Sequence, residues 1–335
     1  MMSKRLFMLI GITLLVFVLA ACSKSANKPE EASTEEKVSN SNQTTVSDGK
    51  ETRVVSDMFG DVTIPAIPKN ILVTSSSYAE DLIEMGIIPQ SSVVVPEIEP
   101  DYRTPYLEKN GVVLISQTQY EYNLEQLLSL SPDMIITPGE GLDTKVYNEL
   151  SKIAPTVALK AGVGVHEAVK ELAVLFNKEA EADKLLTALD RKANEAKDKI
   201  HQAIGDKTVL VLRVEPSRYR YLGPKADDDV SEFFYKTLGL NSPEVTKDSD
   251  VWFTQFSLEI LPEIKPDYIF LETRSMVDFD SSESLAELEK NPLWKSLKAV
   301  KNNDVFPIRT NDYIQAKGPI GTSKLIDYIV AKLVP

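Results

Sequence analysis

The chain has 335 residues, a formal net charge of −13 at pH 7, two histidines and a single cysteine. The acidic balance argues against nucleic acid as a partner, because nucleic-acid binding requires a basic surface. One cysteine cannot form an intrachain disulfide or a cysteine metal cluster, so a hydrophobic core must hold the folded part together. A chain of this length commonly folds as two domains.

Residues 1–21 have the pattern of a secretory signal peptide: a basic start, a short apolar stretch and small residues before Cys22. A transmembrane anchor is the alternative, but the stretch is short for a bilayer, which needs about 20 apolar residues. The sequence Leu-Ala-Ala-Cys at 19–22 resembles the bacterial lipobox. This resemblance implies cleavage before Cys22, diacylglycerol on its sulfur, and attachment to the outer face of the cell membrane.

Residues 22–50 are predicted to be the lipidated cysteine followed by a flexible tether. After Cys22 the segment is rich in Ser, Asn, Thr, Glu and Lys, and its only sizeable apolar residues are two valines. Such a composition buries too little surface to offset the entropy lost on ordering. A tether of this kind lets a folded body move above the membrane.

Residues 51–164 are predicted to form an N-terminal α/β lobe. Short apolar strands alternate with helices that end at glycine or at Pro-Asp. This alternation is typical of a parallel sheet covered by helices. The predicted strands are residues 70–74, 92–95, 112–115 and 134–137, and the predicted helices are residues 78–85 and 124–130.

Residues 165–205 are predicted to be a connecting helix, with a break at Asn177 and Lys178. Residues 166–204 contain neither glycine nor proline, and apolar residues recur there every three or four positions. A helix of about 27 residues would span about 40 Å, which suits a rigid strut between two lobes better than a short crossover. A coiled coil is the alternative. His166 and His201 lie on this segment and are interpreted as ordinary helix residues.

Residues 206–335 are predicted to form a C-terminal lobe in which the alternation resumes. The predicted strands are residues 208–214, 268–272 and 305–308, and the predicted helices are residues 230–237, 258–263, 285–291, 293–297 and 321–333. The glycine-containing loop at 318–324 has the wrong spacing for a phosphate loop and is interpreted as the start of the last helix.

An internal repeat relates the two lobes. Residues 123–137 and 257–271 share six identical positions at a constant offset of 134, and each copy begins a helix, ends it at Pro-Asp and enters a strand. The predicted fold is therefore α/β, with two Rossmann-like lobes built on central parallel sheets and joined by one long helix. Ligands of such sheets bind outside the carboxyl ends of the strands, so a cleft between the lobes is the expected site.

Residues 53–333 resemble the iron-siderophore and cobalamin binding proteins of ABC importers, the class with one long helix between its lobes. The resemblance is carried by DMFGDVTIPAIPKNILV at 57–73, LIEMGIIP at 82–89 and YNELSKIAPTV at 147–157. It implies a monomeric binding protein that captures an iron(III)-siderophore and passes it to a permease dimer with a partner ATPase. It also implies that Glu125 and Glu259 dock in arginine pockets of the permease; stabilisation of each helix first turn is the alternative role.

Arginine and tyrosine are concentrated in one segment of the C-terminal lobe. Arg213, Arg218, Tyr219 and Arg220 lie within eight positions, and three of the nine arginines of the chain are among them. Arginine suits carboxylate and oxyanion ligands, and tyrosine adds a flat face and a hydroxyl. A charged strand edge is the alternative. Further candidates for the cleft are Tyr78, Tyr120, Trp252, Arg274, Arg309 and Tyr313, with Arg103 and Tyr106 from a loop of the first lobe.

Such a cleft fits an anionic or oxygen-rich iron chelate of the hydroxamate or citrate type. The siderophore's own oxygens would hold the iron, so neither a direct metal ligand nor a cofactor is expected. Cobalamin or haem is the alternative ligand within the same class, although no lobe histidine is available to haem. A zinc or manganese carrier would normally offer several histidines. An enzyme is disfavoured because the sequence lacks the common catalytic motifs. A surface adhesin is a further alternative, but it would not need a cleft between two lobes.

Overall fold

The computed structural model describes residues 44–47, 50–118, 121–160, 164–274 and 279–335. The predicted signal peptide, the lipidation site Cys22, most of the predicted tether and the candidate Tyr120 lie outside the described residues. Among the residues within these ranges, no helix combines the length and apolar character needed to cross a membrane.

A small antiparallel sheet precedes the first lobe. Its strands are β1 (Thr44–Ser47), β2 (Lys50–Ser56) and β3 (Asp61–Pro65), in the order β1-β2-β3. The predicted tether, residues 22–50, overlaps β1, which pairs with β2. Consecutive β-branched residues at 44–46 favour an extended backbone and explain why pairing begins there.

The N-terminal lobe is built on five parallel strands in the order β6-β5-β4-β7-β8. They are β4 (Ile71–Val73), β5 (Ser91–Val94), β6 (Val113–Ser116), β7 (Met134–Pro138) and β8 (Thr156–Leu159). The helices are α1 (Ser76–Glu84), α2 (Arg103–Lys109), α3 (Leu124–Ser129) and α4 (Thr144–Ser151). The two helices and four strands predicted for this lobe are confirmed, with boundaries that differ by a residue or two.

Helices α5 (Val165–Phe176) and α6 (Glu179–Ile204) form the connecting segment. Asn177 ends α5 in the left-handed conformation, so the predicted break is confirmed. The buried stripe of α6 runs through both cores: Ala182 and Leu186 pack in the N-terminal core, whereas Leu189 and the residues that follow it in the stripe pack in the C-terminal core. Its 26 residues span about 39 Å, and this continuous helix braces the two lobes.

The C-terminal lobe contains a mixed sheet in the order β11-β10-β9-β12-β13. Its strands are β9 (Val209–Glu215), β10 (Arg218–Leu222), β11 (Phe253–Phe256), β12 (Tyr268–Thr273) and β13 (Val305–Arg309). Strands β9, β12 and β13 are parallel, as predicted, but β10 and β11 add antiparallel pairs at one edge. The connection from β9 to β10 is two residues long, which permits only antiparallel pairing.

The helices of this lobe are mostly short. They are α7 (Asp229–Ser231), α8 (Leu261–Ile264), α9 (Ser282–Lys290), α10 (Pro292–Ser296), α11 (Lys298–Lys301), α12 (Thr310–Tyr313) and α13 (Pro319–Leu333). A 3-10 turn covers Leu258–Ile260. The predicted α-helix at 230–237 is instead α7 followed by a π-helix, Glu232–Thr237. Its three consecutive aromatic residues, Phe233, Phe234 and Tyr235, contact the core.

Candidate ligand-binding and docking sites

Three arginines surround one buried carboxylate at the carboxyl end of β9. Glu215 is fully buried and accepts hydrogen bonds from Arg218 Nε, from Arg220 Nη1 at 3.5 Å and from Arg274 Nη1 at 2.8 Å. The side chains of these arginines remain 40, 20 and 23% exposed, respectively. Burial alone would raise the pKa of Glu215, but the hydrogen bond from Arg274 and the charges of Arg220 and Arg218 outweigh it and lower the pKa.

A second buried carboxylate holds the fourth arginine. Arg213 is 1% exposed and donates two hydrogen bonds to Glu272, which also accepts from Thr310 and Tyr313. Burial would lower the pKa of Arg213, but Tyr313 and Glu272 raise it. The guanidinium lies 3.6 Å from the ring centroid of Phe253. Arg213 is therefore held in place by Glu272 and packs against Phe253.

Strand register explains why these charges meet. Arg213 pairs with Arg220 on one side and with Glu272 on the other, and Glu215 pairs with Arg218. Directly paired residues share a face of a sheet, and alternate residues of a strand return to that face. Four arginines and two carboxylates of the described residues meet on this face. We call these six residues the arginine cluster; they are Arg213, Glu215, Arg218, Arg220, Glu272 and Arg274.

The other candidates of the C-terminal lobe occupy different surroundings. Tyr219 pairs with Val214, lies on the opposite face from the arginines, and donates its hydroxyl to the carbonyl of Ser284. Trp252 is 42% exposed, with its ring 5.3 Å from Arg213 Cζ. Tyr313 is buried, and its hydroxyl donates to Glu272. Trp252 and Tyr313 therefore border the arginine cluster, whereas Tyr219 does not.

Arg309 joins the two lobes through ion pairs. Its guanidinium lies 2.9 Å from Asp101 in the first lobe and 2.8 Å from Asp312 in the second. Hydrogen bonds from Arg309 to Asp312 and to Asp101 raise its pKa. The structure does not bring Arg309 into the arginine cluster.

Arg103 and Glu80 form a second connection between the lobes. Arg103 is 2% exposed; it donates to Glu80 at 3.0 Å and to the carbonyl oxygen of Gln315 at 2.7 Å. Glu80 in turn accepts from the backbone amides of Ile320 at 2.8 Å and Gly321 at 3.2 Å. The interpretation of residues 318–324 as the start of the last helix is confirmed, and its N-terminus binds a protein carboxylate.

Tyr78 and Tyr106, the remaining candidates of the first lobe, lie on α1 and α2. Tyr106 donates its hydroxyl to Glu84 at 2.6 Å. Tyr78 is 2% exposed and lines a cavity of about 290 Å³ between the lobes. A larger groove of about 780 Å³ lies between α6 and α13, and it shares no residue with the arginine cluster.

The two repeated glutamates occupy equivalent positions. Glu125 lies in the first turn of α3, and Glu259 lies in the 3-10 turn Leu258–Ile260. Both side chains are exposed. The hydroxyl of Ser257 donates to Glu259 and is the main cause that lowers the pKa of Glu259. Each lobe therefore presents one carboxylate to solvent at the same point of its fold.

Sequence reasoning missed the carboxylates that organise these groups: Glu215 and Glu272 in the arginine cluster, and Glu80 between the lobes. Glu215 and Glu272 left a signal in the sequence. Arg213 alternates with Glu215, and Glu272 alternates with Arg274, at the ends of two neighbouring parallel strands. Glu80 left none, because Arg103 lies 23 positions away and the backbone amides of Ile320 and Gly321 lie 240 and 241 positions away.

Two α/β lobes, one helix that runs through both cores, and a charged cluster at the carboxyl ends of strands define a solute-binding protein of the helical-backbone type. The chain belongs to the periplasmic binding protein family, whose model matches residues 71–311. Several relatives and solved structures of this family are similar over nearly their whole length.

Two curated relatives come from Bacillus subtilis (strain 168). The iron(3+)-hydroxamate-binding protein FhuD is 32% identical, with 88% of this chain and 86% of the relative covered. The Fe(3+)-citrate-binding protein YfmC is 27% identical, with 94 and 93% covered. Among solved structures, Staphylococcus aureus SirA complexed with staphyloferrin B has a TM-score of 0.69 at 25% identity, with 84% of this chain and 98% of that chain covered.

Proposed function

We propose that this chain is an extracytoplasmic solute-binding protein that captures an iron(III)-siderophore and delivers it to an ABC importer. The observation that carries the proposal is the arginine cluster at the carboxyl ends of β9 and β12, where ligands of such sheets bind. Relatives named for binding ferric hydroxamate and ferric citrate, together with the structure containing staphyloferrin B, support it.

The exposed parts of Arg218, Arg220 and Arg274 suit an anionic or oxygen-rich chelate. Glu215 holds the three guanidinium groups close together, so little side-chain entropy is lost when a ligand binds. Their forked donors match carboxylate and hydroxamate oxygens. The siderophore's oxygens hold the iron, so the role we propose is binding and not catalysis, and it needs no resident cofactor. Cobalamin and haem are not favoured as ligands, because relatives are named for binding ferric hydroxamate, ferric citrate or siderophores.

Tryptophan fluorescence offers a direct test of ligand binding. The two tryptophans differ sharply: Trp252 is 42% exposed beside Arg213, and Trp294 is 4% exposed within the core. Titration with ferric hydroxamates, ferric citrate, cobalamin and haem should give a saturable change with a ferric siderophore, and Trp252→Phe should remove most of that change. Saturation by cobalamin or haem alone would contradict the proposal.

Substitution of two arginines of the cluster tests whether the siderophore binds there. Arg218→Ala combined with Arg220→Ala should weaken ferric-siderophore binding about a hundredfold, because each charge-assisted hydrogen bond is worth about 1.5 kcal/mol or more. Arg191→Ala is the matched control, because Arg191 is exposed on α6, away from the cluster. Equal affinity in the double variant and the control would remove the two arginines from the site.

We further propose that Glu125 and Glu259 dock this protein on the permease dimer. Of the six identical positions of the repeat, the glutamates are the two whose side chains are exposed and pack in neither core. Replacing both with glutamine should abolish siderophore uptake by cells while ligand affinity in solution is retained. Glu121→Gln and Glu263→Gln remove neighbouring exposed carboxylates and should transport normally. If the variant carrying both Glu125→Gln and Glu259→Gln lost affinity for the siderophore in solution, the docking role would be refuted.

We propose that residues 51–164 are the N-terminal lobe, residues 165–205 the connecting helix and residues 206–335 the C-terminal lobe.

We also propose that Cys22 carries the lipid anchor. Cys22→Ser should abolish incorporation of radiolabelled palmitate and move the protein from the membrane fraction to the soluble extracytoplasmic fraction. Ser23→Ala is the control. Continued membrane association and palmitate labelling of the cysteine variant would contradict the anchor.

A further inference from the structure

Three buried polar atoms of the interlobe cavity have no hydrogen-bond partner among the residues that the structure describes. They are the hydroxyl of Tyr78, Oδ1 of Asp81 and Oε2 of Glu99, and all three residues line the cavity of about 290 Å³. Tyr78 and Asp81 are 2 and 1% exposed. Buried polar groups in native proteins are almost always paired. Three such oxygens in one cavity therefore make it a candidate site for a molecule that carries hydrogen-bond donors.

The two cations that line the same cavity already have carboxylate partners. Arg103 Nε lies 3.0 Å from Glu80 Oε2, and Lys317 Nζ lies 2.9 Å from Asp229 Oδ2. Glu99 Oε2 forms an ion pair with Arg103 Nη1 at 3.7 Å, a distance that is too long for a hydrogen bond. The cavity consequently offers acceptors to a ligand, and its available charge is negative.

The pKa shifts of Tyr78 and Asp81 agree with a negative charge in the cavity. Burial raises the pKa of Asp81 well above its ordinary value; the neighbouring charge of Glu80 raises it further, and the charge of Arg103 opposes this rise without reversing it. Burial also raises the pKa of Tyr78, and the charges of Asp81, Glu171 and Glu140 add to that rise. Carboxylates on three elements thus create a potential that favours a cation in this cavity.

We propose that this cavity is a subsite for a protonated primary amine carried by the ferric siderophore, an inference that rests on the function proposed above. An alkylammonium group has three N–H donors, one for each unpartnered oxygen. The volume of about 290 Å³ suits such an arm and is small for a whole chelate. Tyr313, which donates to Glu272 in the arginine cluster, directly precedes Ile314 and Gln315 of the cavity wall, so cluster and cavity are neighbours.

The test uses the full chain in detergent and two ferric trihydroxamates that differ only in a terminal amine, free in one and N-acetylated in the other. Calorimetry should show that the free amine binds about tenfold more tightly, because an ammonium–carboxylate hydrogen bond forms only with that ligand. Asp81→Asn should bring the two affinities to within about twofold of each other. Glu97→Gln, which removes an exposed carboxylate outside the cavity, should keep the preference.

Equal affinity of the two chelates for the wild-type chain overturns the amine subsite and leaves the proposed function standing. If neither chelate binds, n-pentylamine is titrated against 1-pentanol on the apo chain and on the chain loaded with ferric citrate. Failure of n-pentylamine to bind also overturns the subsite, whereas failure of every ferric siderophore overturns the proposed function. Free n-pentylamine that binds without any preference for the amine-bearing chelate overturns the assignment to a siderophore arm. Glu99→Gln, expected to reduce the preference about threefold, replaces Asp81→Asn if that variant does not fold.

Discussion

Residues 123–137 and 257–271 are two copies of one segment, and the structure shows what their six identical positions do. Leu127 and Leu261 are fully buried, as are Ile135 and Ile269. Leu124 and Leu258 are partly buried against the same two cores. The shared prolines follow Ser131 and Lys265, which are both in the left-handed conformation. Packing and chain reversal therefore account for these four positions.

The shared aspartates fix strand register in both lobes. Asp133 accepts from the backbone amides of Lys69 at 2.7 Å and Asn70 at 3.0 Å, just before β4. Asp267 accepts from the amide of Thr208 at 3.0 Å, just before β9. Each aspartate thus ties the start of one strand to the start of its parallel neighbour. The glutamates alone have no such role, which is why the repeat supports docking.

The copies differ in their first turn. Asn123 caps α3 by accepting from the amide of Gln126 at 3.1 Å. In the second copy, Pro262 stands where the first has Leu128, and the helix begins as a 3-10 turn. Proline has no N–H with which to close the first α-helical turn. The two copies therefore share their buried and strand-fixing positions, whereas the geometry of the turn differs around an exposed carboxylate.

Truncation of the shared leucines should cause the largest loss of stability. Leu127→Ala and Leu261→Ala should each lower the free energy of unfolding by about 2–5 kcal/mol, because each leaves a cavity in a fully packed core. Urea unfolding followed by circular dichroism measures the loss. Leu128→Ala, at a position that is 57% exposed, is the control and should change it little. A loss confined to one copy would break the equivalence of the lobes.

Removal of the shared aspartates should have the next largest effect. Asp133→Ala should cost about 2 kcal/mol, since two backbone amides lose a charged acceptor. Asp267→Ala should cost a similar amount through Thr208. Amide hydrogen exchange at residues 69–72 and 208–210 should rise only in the corresponding variant. Unchanged exchange would show that strand register does not depend on these side chains.

The stability of the folded chain should depend on pH through Asp267, the shared aspartate of the second copy. Burial would raise the pKa of Asp267, but hydrogen bonds from Thr208 and Lys298 outweigh it and lower the pKa below the ordinary value of 3.8. A carboxyl with a depressed folded-state pKa stabilises above its unfolded pKa and loses that contribution as pH falls through the folded value. Stability should therefore fall below about pH 4, and Asp267→Asn should flatten that fall. An identical acid profile in the variant would contradict this role.

Loss of the residue before the first turn should have a smaller effect on stability, and the size of this effect should differ between the two copies. Asn123→Ala should cost about 1 kcal/mol, because the amide of Gln126 loses its partner. Ser257→Ala should cost less, because Ser257 donates to Glu259 and caps no backbone amide with its side chain. Thermal unfolding of the two variants gives the comparison, and equal losses would contradict it.

The glutamates should affect stability least and transport most. Glu125→Gln and Glu259→Gln should change the free energy of unfolding by no more than about 0.5 kcal/mol, as is usual for exposed positions. Chemical unfolding of the purified variants should confirm this, while uptake assays on the same variants report docking. A large loss of stability would show that the shared glutamates belong to the fold.

The two-lobed α/β fold, the break at Asn177, the long connecting helix and the repeat could be predicted from the sequence, because hydrophobic periodicity and helix-terminating residues are local signals. The sequence also indicated Arg218 and Arg220, since their concentration in one segment is visible without structure. Tertiary structure decided which carboxylates organise those arginines, since Glu215 and Glu272 meet them only through strand pairing. It also decided that Glu80 and Arg103 join the lobes, because their partners are far apart in the chain and no local pattern records such contacts.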